Sequence, residues 1–215
     1  MRSIKFNDKY SYGDWGLILN QFLMSEPNPK EVYIDVPGGD SSIDLTEYLT
    51  GDIAYEDREF SATFGIVYPG ETMDEITAIR SYIHGKKMRI ELPDDPAYYY
   101  TGRCKVSTSK SYPFVYLEVT ARCEPWKYKK LLTTYNVTID IAGSKSIVCK
   151  NSRKRVIPTI TTDGEITITF DGNNYTLGAG THRITNIVFV EGGNNITFTG
   201  NDGTKLSVEY REGAI

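Results

Sequence analysis

The sequence predicts a mainly β protein in two units, an N-terminal β unit with a single helix and a smaller, helix-free β-sandwich. Three observations predict it. Apolar and polar residues alternate with period two through much of the first half. Only one segment repeats its apolar residues at three- and four-residue steps. After "CEPWKYKK" the chain turns into short Thr/Val/Ile runs broken by Gly, Asn and Asp.

Taken in order, "REFSATFGIVY" puts Phe60, Ala62, Phe64 and Ile66 on one face of a strand. In "ETMDEITAIRSYIHGKKMRIEL" a helix is expected over about 72–84. Thr72 and Glu75 form a capping box, and Met73, Ile76, Ile79 and Ile83 share a face. Gly85 ends it, with Lys86, Lys87 and Arg89 near its negative pole. "FVYLEVTARC" alternates again, with Val115, Leu117, Val119 and Ala121 on one face. If that strand pairs with "GRCKVSTSK" through a turn near Lys110–Tyr112, Cys104 falls opposite Tyr116–Glu118. Cys123 is then too far along to bridge to it. Beyond Leu132, "DGNN" and "GNDG" are hairpin signals, because these residues tolerate positive φ. The expected boundary gives residues 1–128 to the first unit and 129–215 to the second.

Composition narrows function by exclusion. At a net charge of −4 there is no general reason to attract nucleic acid, and no apolar run is long enough to span a membrane. The charge is uneven: residues 1–128 hold 14 Lys/Arg against 20 Asp/Glu, and residues 129–215 hold 10 against 8. No export signal is legible at the N-terminus, so a soluble protein is expected. Three cysteines without CxxC spacing (Cys104, Cys123, Cys149) read as buried thiols, not as a disulfide or zinc framework. His84 and His182 are the only histidines, and neither has a metal-spaced or catalytic neighbour. Asp94–Asp95 and the run Glu56, Asp57, Glu59 lack the closed apolar setting that splits the pKa values of a catalytic pair. No catalytic residue, cofactor or metal is expected.

The stretch "DVPGGDSSIDLTEYLTG" (Asp35–Gly51) has neither P-loop, dinucleotide-loop nor EF-hand order. It reads as a turn in which Pro37 fixes φ and Gly38–Gly39 permit reversal. With its surroundings, "YIDVPGGDSSIDLTEYLTGDIAYEDREFSATF" resembles the distal tail protein (Dit) family of long-tailed bacteriophages and prophages. The matching positions are Asp35, Val36, Pro37, Gly38, Asp44, Leu45, Thr46, Tyr55, Arg58 and Phe64. "EPWKY" supplies a second match in Glu124, Pro125, Trp126 and Tyr128, the expected interdomain junction, and "WGL" (Trp15–Leu17) a third. One departure is "GGDSSID", where such proteins more often carry a basic residue and a further glycine.

The resemblance implies an N-terminal β-sandwich with one helix and a projecting hairpin arm, followed by a galectin-like C-terminal β-sandwich. It also implies a virion protein assembled in the bacterial cytoplasm. There it would form a hexameric ring joining the tail tube protein to the tail-tip hub and, through it, to a receptor-binding protein. The arm would span roughly Gly38–Asp57, hinge at Pro37, Gly38 and Gly39, and bury Ile43, Leu45, Tyr48, Leu49 and Tyr55 against the next subunit. An alternative is a carbohydrate-binding adhesion module acting through the C-terminal sandwich. Against it, that unit has no Trp, and its aromatics (Tyr135, Phe170, Tyr175, Phe189, Phe198, Tyr210) stand mostly at core positions.

Overall fold

The computed structural model describes residues 2–48, 50–67, 72–111 and 114–215, without the side chains of Val67, Thr72 and Phe114. The capping hydroxyl of Thr72, the arm residue Leu49 and Tyr112 in the expected turn lie outside these described residues. The chain divides into two compact units, Met1–Lys127 with Ile215, and Tyr128–Ala214.

The first unit contains β1 (Lys5–Phe6), β2 (Lys9–Tyr10), β3 (Ile18–Met24), β4 (Tyr33–Ile34), β5 (Ile43–Asp44) and β6 (Arg58–Val67). The helix α1 (Thr72–Ile83) follows, then β7 (Lys87–Glu91), β8 (Tyr98–Ser111) and β9 (Phe114–Cys123). The main sheet runs β2-β1-β7-β8-β9-β6-β3, and among the described residues β4 and β5 pair with each other as a separate two-stranded sheet. Alternation does what the pattern predicts. Phe60, Ala62 and Phe64 of β6 and Val115, Leu117 and Val119 of β9 are buried in one core. Ile76, Ile79 and Ile83 of α1 complete that core from the helix side. Met73 does not join them: it is 41% exposed. At about 100° per residue it stands roughly a quarter turn from the mean direction of the three isoleucines. Gly85, at φ 77, ends the helix in the left-handed conformation.

The β8–β9 register corrects one expectation. Ser111 pairs with Phe114, so Cys104 lies opposite Ala121, not Tyr116–Glu118, and Cys123 lies opposite Gly102. The ladder runs right up to the residues flanking 112–113, later than a turn at Lys110–Tyr112, and this shifts every pair. The two thiols are therefore diagonal neighbours on the inward face, still free and buried. A Cβ on Gly102 would stand 2.4 Å from the Cys123 sulfur, so the missing side chain is the space that sulfur fills.

Past β10 (Lys127–Lys129), the second unit is a sandwich of two four-stranded antiparallel sheets. Its strands are β11 (Thr133–Thr138), β12 (Ser144–Asn151), β13 (Thr159–Thr162), β14 (Ile166–Phe170), β15 (Asn173–Leu177), β16 (Gly180–His182), β17 (Gly192–Gly200) and β18 (Lys205–Tyr210). One sheet runs β11-β18-β13-β16 and the other β12-β17-β14-β15. Ile160, Leu206 and Val208 from the first meet Ile168, Ile196 and Phe198 from the second in one core. The "DGNN" signal is the β14–β15 hairpin, whose loop residues Asp171 (φ 47) and Gly172 (φ 75) both adopt positive φ, as a tight two-residue hairpin requires.

Candidate functional site

Neighbouring antiparallel strands can be joined by two residues, yet β3 and β6 are joined by the whole of Ser25–Asp57. A connection of this length inside a compact unit is a functional element or a disordered one, and this one is structured. At its root Pro29 pairs with Tyr55. There Lys30 N donates to Ala54 O (2.8 Å) and Glu56 N to Asn28 O (2.8 Å). Further out Tyr33 pairs with Asp44 and Ile34 with Ile43. The ladder continues as Leu45 N donates to Val32 O (2.8 Å), and Ser42 Oγ reaches across to Asp35 Oδ1 (2.7 Å). At the tip, Gly39 N closes on Val36 O (2.9 Å) with Pro37 second and Gly38, at φ 79, third. This is the residue order of a type II turn. Pro37, Gly38 and Gly39 thus reverse the chain at the far end of the hairpin, while its root lies at Asn28–Lys30 and Ala54–Glu56.

None of the described residues from Asn28 to Asp57 is buried. Ile34 and Ile43 face each other directly, and alternation puts Val32 and Leu45 on their side of the ribbon. Val32, Ile34 and Ile43 are each about half exposed, and Tyr48 is 80% exposed. Single exposed apolar residues are ordinary; a contiguous set on one face marks an interaction surface. The arm is also acidic: residues 31–57 hold eight Asp/Glu and no Lys or Arg. Asp44, across from Tyr33, and then Glu31 raise the Tyr33 phenol pKa. The hydroxyl and backbone N–H of Thr46 hold the Asp44 carboxyl below its ordinary range.

Two groups of residues that the sequence kept apart meet at the root. Tyr55 packs edge-to-face on Trp126, ring centres 5.5 Å apart. Arg58, only 2% exposed, donates from Nε to Pro125 O at 2.7 Å. It also stands 3.4 Å from a carboxylate oxygen of Glu26 and 5.5 Å from the Tyr100 ring centre. The Pro125–Trp126 element therefore holds the returning end of the arm, at Tyr55 and Arg58, to the first unit, and Arg58 reaches the outgoing end at Glu26. Tyr128 belongs to the other unit, where Lys154 Nζ lies 5.3 Å from its ring centre. Sequence reasoning missed Val32 and Ile34 as half of the apolar face, and Arg58 as the clamp. For the first two, the signal available was the alternation in "EVYIDV".

The chemistry-bearing residues elsewhere are tied into structure. Burial pushes Cys104 and Cys123 up to about 12, and Cys149 to about 11, out of the nucleophilic range. His84 Nδ1 accepts from Val106 N (3.0 Å), and His182 Nε2 lies 2.8 Å from Gly178 O. Asp94 pairs with Arg2, and Asp95 with Lys127. Among the described residues no group of three or more His, Cys, Asp or Glu could hold a metal ion, and no helix is long and apolar enough to cross a membrane. In the second unit Phe170, Phe189, Phe198 and Tyr210 are buried, and Tyr135 and Tyr175 pack against them.

No protein-family model matches the chain, and no curated protein does. Among solved structures, the chain is similar to the Dit (gp 19.1) protein of phage SPP1. That protein is described as a paradigm of the hub adsorption apparatus in phages infecting Gram-positive bacteria. The TM-score is 0.68 at 16% identity, over 98% of this chain and 99% of that one. The fold is that of a phage distal tail protein. At that coverage the distal tail fold accounts for both units, and the motif positions from Asp35 to Phe64 fall on the arm and its return into β6.

Proposed function

We propose that this chain is the ring-forming hub subunit of a long-tailed phage or prophage tail. In this reading six copies associate through their N-terminal units and couple the tail tube protein to the tail-tip hub and the receptor-binding apparatus. The observation that carries it is the arm: an ordered hairpin with an apolar face that its own chain leaves uncovered. A two-stranded ribbon is marginal by itself in water, so a partner surface is the natural cover. Ile43, Leu45, Tyr48 and Leu49 go into that contact, with Val32 and Ile34 beside them; Tyr55, which the resemblance also puts there, packs on Trp126 of its own chain.

The shared fold with a hub adsorption protein supports the reading, and the role asks for no turnover of any substrate. Light scattering on the eluting protein tests it, with negative-stain images of the same sample. The expected result is a ring with a central hole; a strict monomer at tens of micromolar sinks the proposal. Carbohydrate binding through the second unit has no comparable support, since the aromatic rings that would stack on sugar are in its core or packed against it.

A further inference from the structure

We infer where the arm of a second copy docks: on a row of cations across the outer face of β7, β8 and β9 in the first unit. This rests on the ring reading above and adds the acceptor to it. Lys87 is directly opposite Arg103, and Arg103 is directly opposite Arg122. Three positive side chains thus stand side by side on adjacent strands, with Lys105 two residues further along β8. Like charges directly opposite one another destabilise a ladder. A sheet that keeps such a row needs negative charge against it.

The row is only partly neutralised from within. Lys87 Nζ meets Glu124 (2.6 Å), Arg122 Nε meets Asp57 (2.6 Å), and Arg103 Nη1 is spent on the carbonyl of Gly85 (2.7 Å). Arg122 nevertheless remains 80% exposed and Lys87 55%.

Two further features make this row a seat and not merely a solvated face. First, it borders an open groove of about 1100 Å³ lined by four cations, Lys30, Arg103, Lys105 and Arg122, against three carboxylates, Glu56, Asp57 and Glu59, two of which belong to the arm's own root; Leu23 lines it too. Leu23 is 66% exposed, an apolar contact for an apolar ribbon. Second, the carboxylate already engaged there, Asp57, is the last residue of the arm, just before β6. The surface thus already recognises arm chemistry at the arm's root.

The occupant is fixed by complementarity. Residues 31–52, beyond the root, present six carboxylates, no cation and the aliphatic face of Val32, Ile34, Ile43 and Leu45. In its own chain residues 31–44 are all exposed, and the arm reaches the groove through its root, at Lys30, Glu56 and Asp57. Arm and groove are different patches of one molecule, so joining them between copies is head-to-tail, the type of contact that closes into a ring.

The test uses two full-length variants that reverse charge only on exposed side chains. One is Arg103→Glu with Lys105→Glu, the other Asp40→Lys with Glu47→Lys. The expected result is that each variant alone requires at least tenfold more protein to assemble than the wild type. A one-to-one mixture then restores assembly, because every contact in an alternating ring is again complementary. A groove variant that assembles like the wild type overturns the inference, whether the true seat is elsewhere on the chain or on another tail component. The arm variant Ile34→Asp with Ile43→Asp separates that failure from failure of the ring itself. If it blocks assembly while the groove variant does not, the ring stands and the seat is misplaced. If neither change matters, or the wild type is monomeric, both readings fall.

Discussion

Two hairpins of the first unit follow the same local rules and end differently. In the β8–β9 ribbon, the inward side chains Cys104, Val106, Val115, Leu117 and Val119 are all at or below 5% exposure. In the β4–β5 ribbon, the corresponding apolar face of Val32, Ile34 and Ile43 is about half exposed. The sequence chemistry of the two faces is alike. What differs is the cover: β8 is flanked by β7 and β9, and its inward face meets the core that α1 completes, whereas among the described residues β4 and β5 pair with each other alone. Alternation therefore reports that a face will be buried, but not by which molecule. The comparison can be broken or sharpened by substitutions at the clamp, in the covered ribbon and in the uncovered one.

The largest effect is expected at the clamp between them. Arg58→Ala removes the guanidinium that holds Pro125 and leaves a cavity beneath Tyr100. Leaving the Pro125 carbonyl without its donor costs about 1–3 kcal/mol and the cavity adds a comparable loss, which together would appear as a lower urea midpoint for the first unit. Arg58→Met keeps the volume without the charge and is expected to lose less, as buried ionic groups replaced by well-packed apolar ones often do. If the two variants lose the same, the residue acts through its hydrogen bonds alone.

Next comes a carboxylate of the second unit that contrasts with the exposed acids of the arm. Burial would push Glu212 up, but hydrogen bonds from Lys129, Ser152 and Thr133 outweigh it and hold the carboxyl below its ordinary range. A depressed folded-state pKa contributes stability that is present above the unfolded value and lost as pH falls through the folded one. The second unit should therefore weaken in acid below the ordinary glutamate range. Glu212→Gln, at a cost of about 2 kcal/mol near neutrality, should flatten that acid limb. An unchanged slope of stability against pH would show that Glu212 is not its source. Within the covered ribbon, Gly102→Ala drives a methyl into the Cys123 sulfur and the Arg122 carbonyl. It is expected to lose about 1–3 kcal/mol, the usual cost of overpacking a core, read from the same urea transitions.

How much of this was legible depends on whether a feature lives on one strand or between strands. The inward faces of β6 and β9, the core face of α1 and the Gly85 stop are properties of one segment, and the spacing of Phe60, Ile76 or Val119 shows them directly. The β8–β9 register is a property of two segments. It is set by where the turn closes, so a small error there puts the partner of Cys104 at Tyr116–Glu118, three to five residues short of Ala121. The same limit hid the row of Lys87, Arg103 and Arg122, which are far apart in sequence and adjacent only through two ladders. In the arm, the type II turn at Pro37–Gly38 was readable. That it forms the tip, with the root at Pro29 and Tyr55, was not, because the strand pairing that decides it is only a few residues long. Arg58 stands two residues before Phe60, on the inward side of the β6 alternation; what the sequence hides is its partners, because Pro125 and Tyr100 come from distant segments.

The smallest stability effect is expected where the apolar face is uncovered, and it sharpens the contrast most. Replacing a buried leucine of β9 such as Leu117 by Ala removes packing worth about 2–5 kcal/mol. Ile34→Asp with Ile43→Asp changes two aliphatic side chains of the same size, yet both stand about half in water in the isolated chain. Substitutions at such positions usually fall within about 0.5 kcal/mol. Urea unfolding of the dilute variant, below any assembling concentration, should therefore overlay that of the wild type. The same variant at high concentration should fail to associate. If the dilute variant instead unfolds far earlier, those isoleucines support their own chain, and the distinction between a self-covered and a partner-covered hairpin disappears.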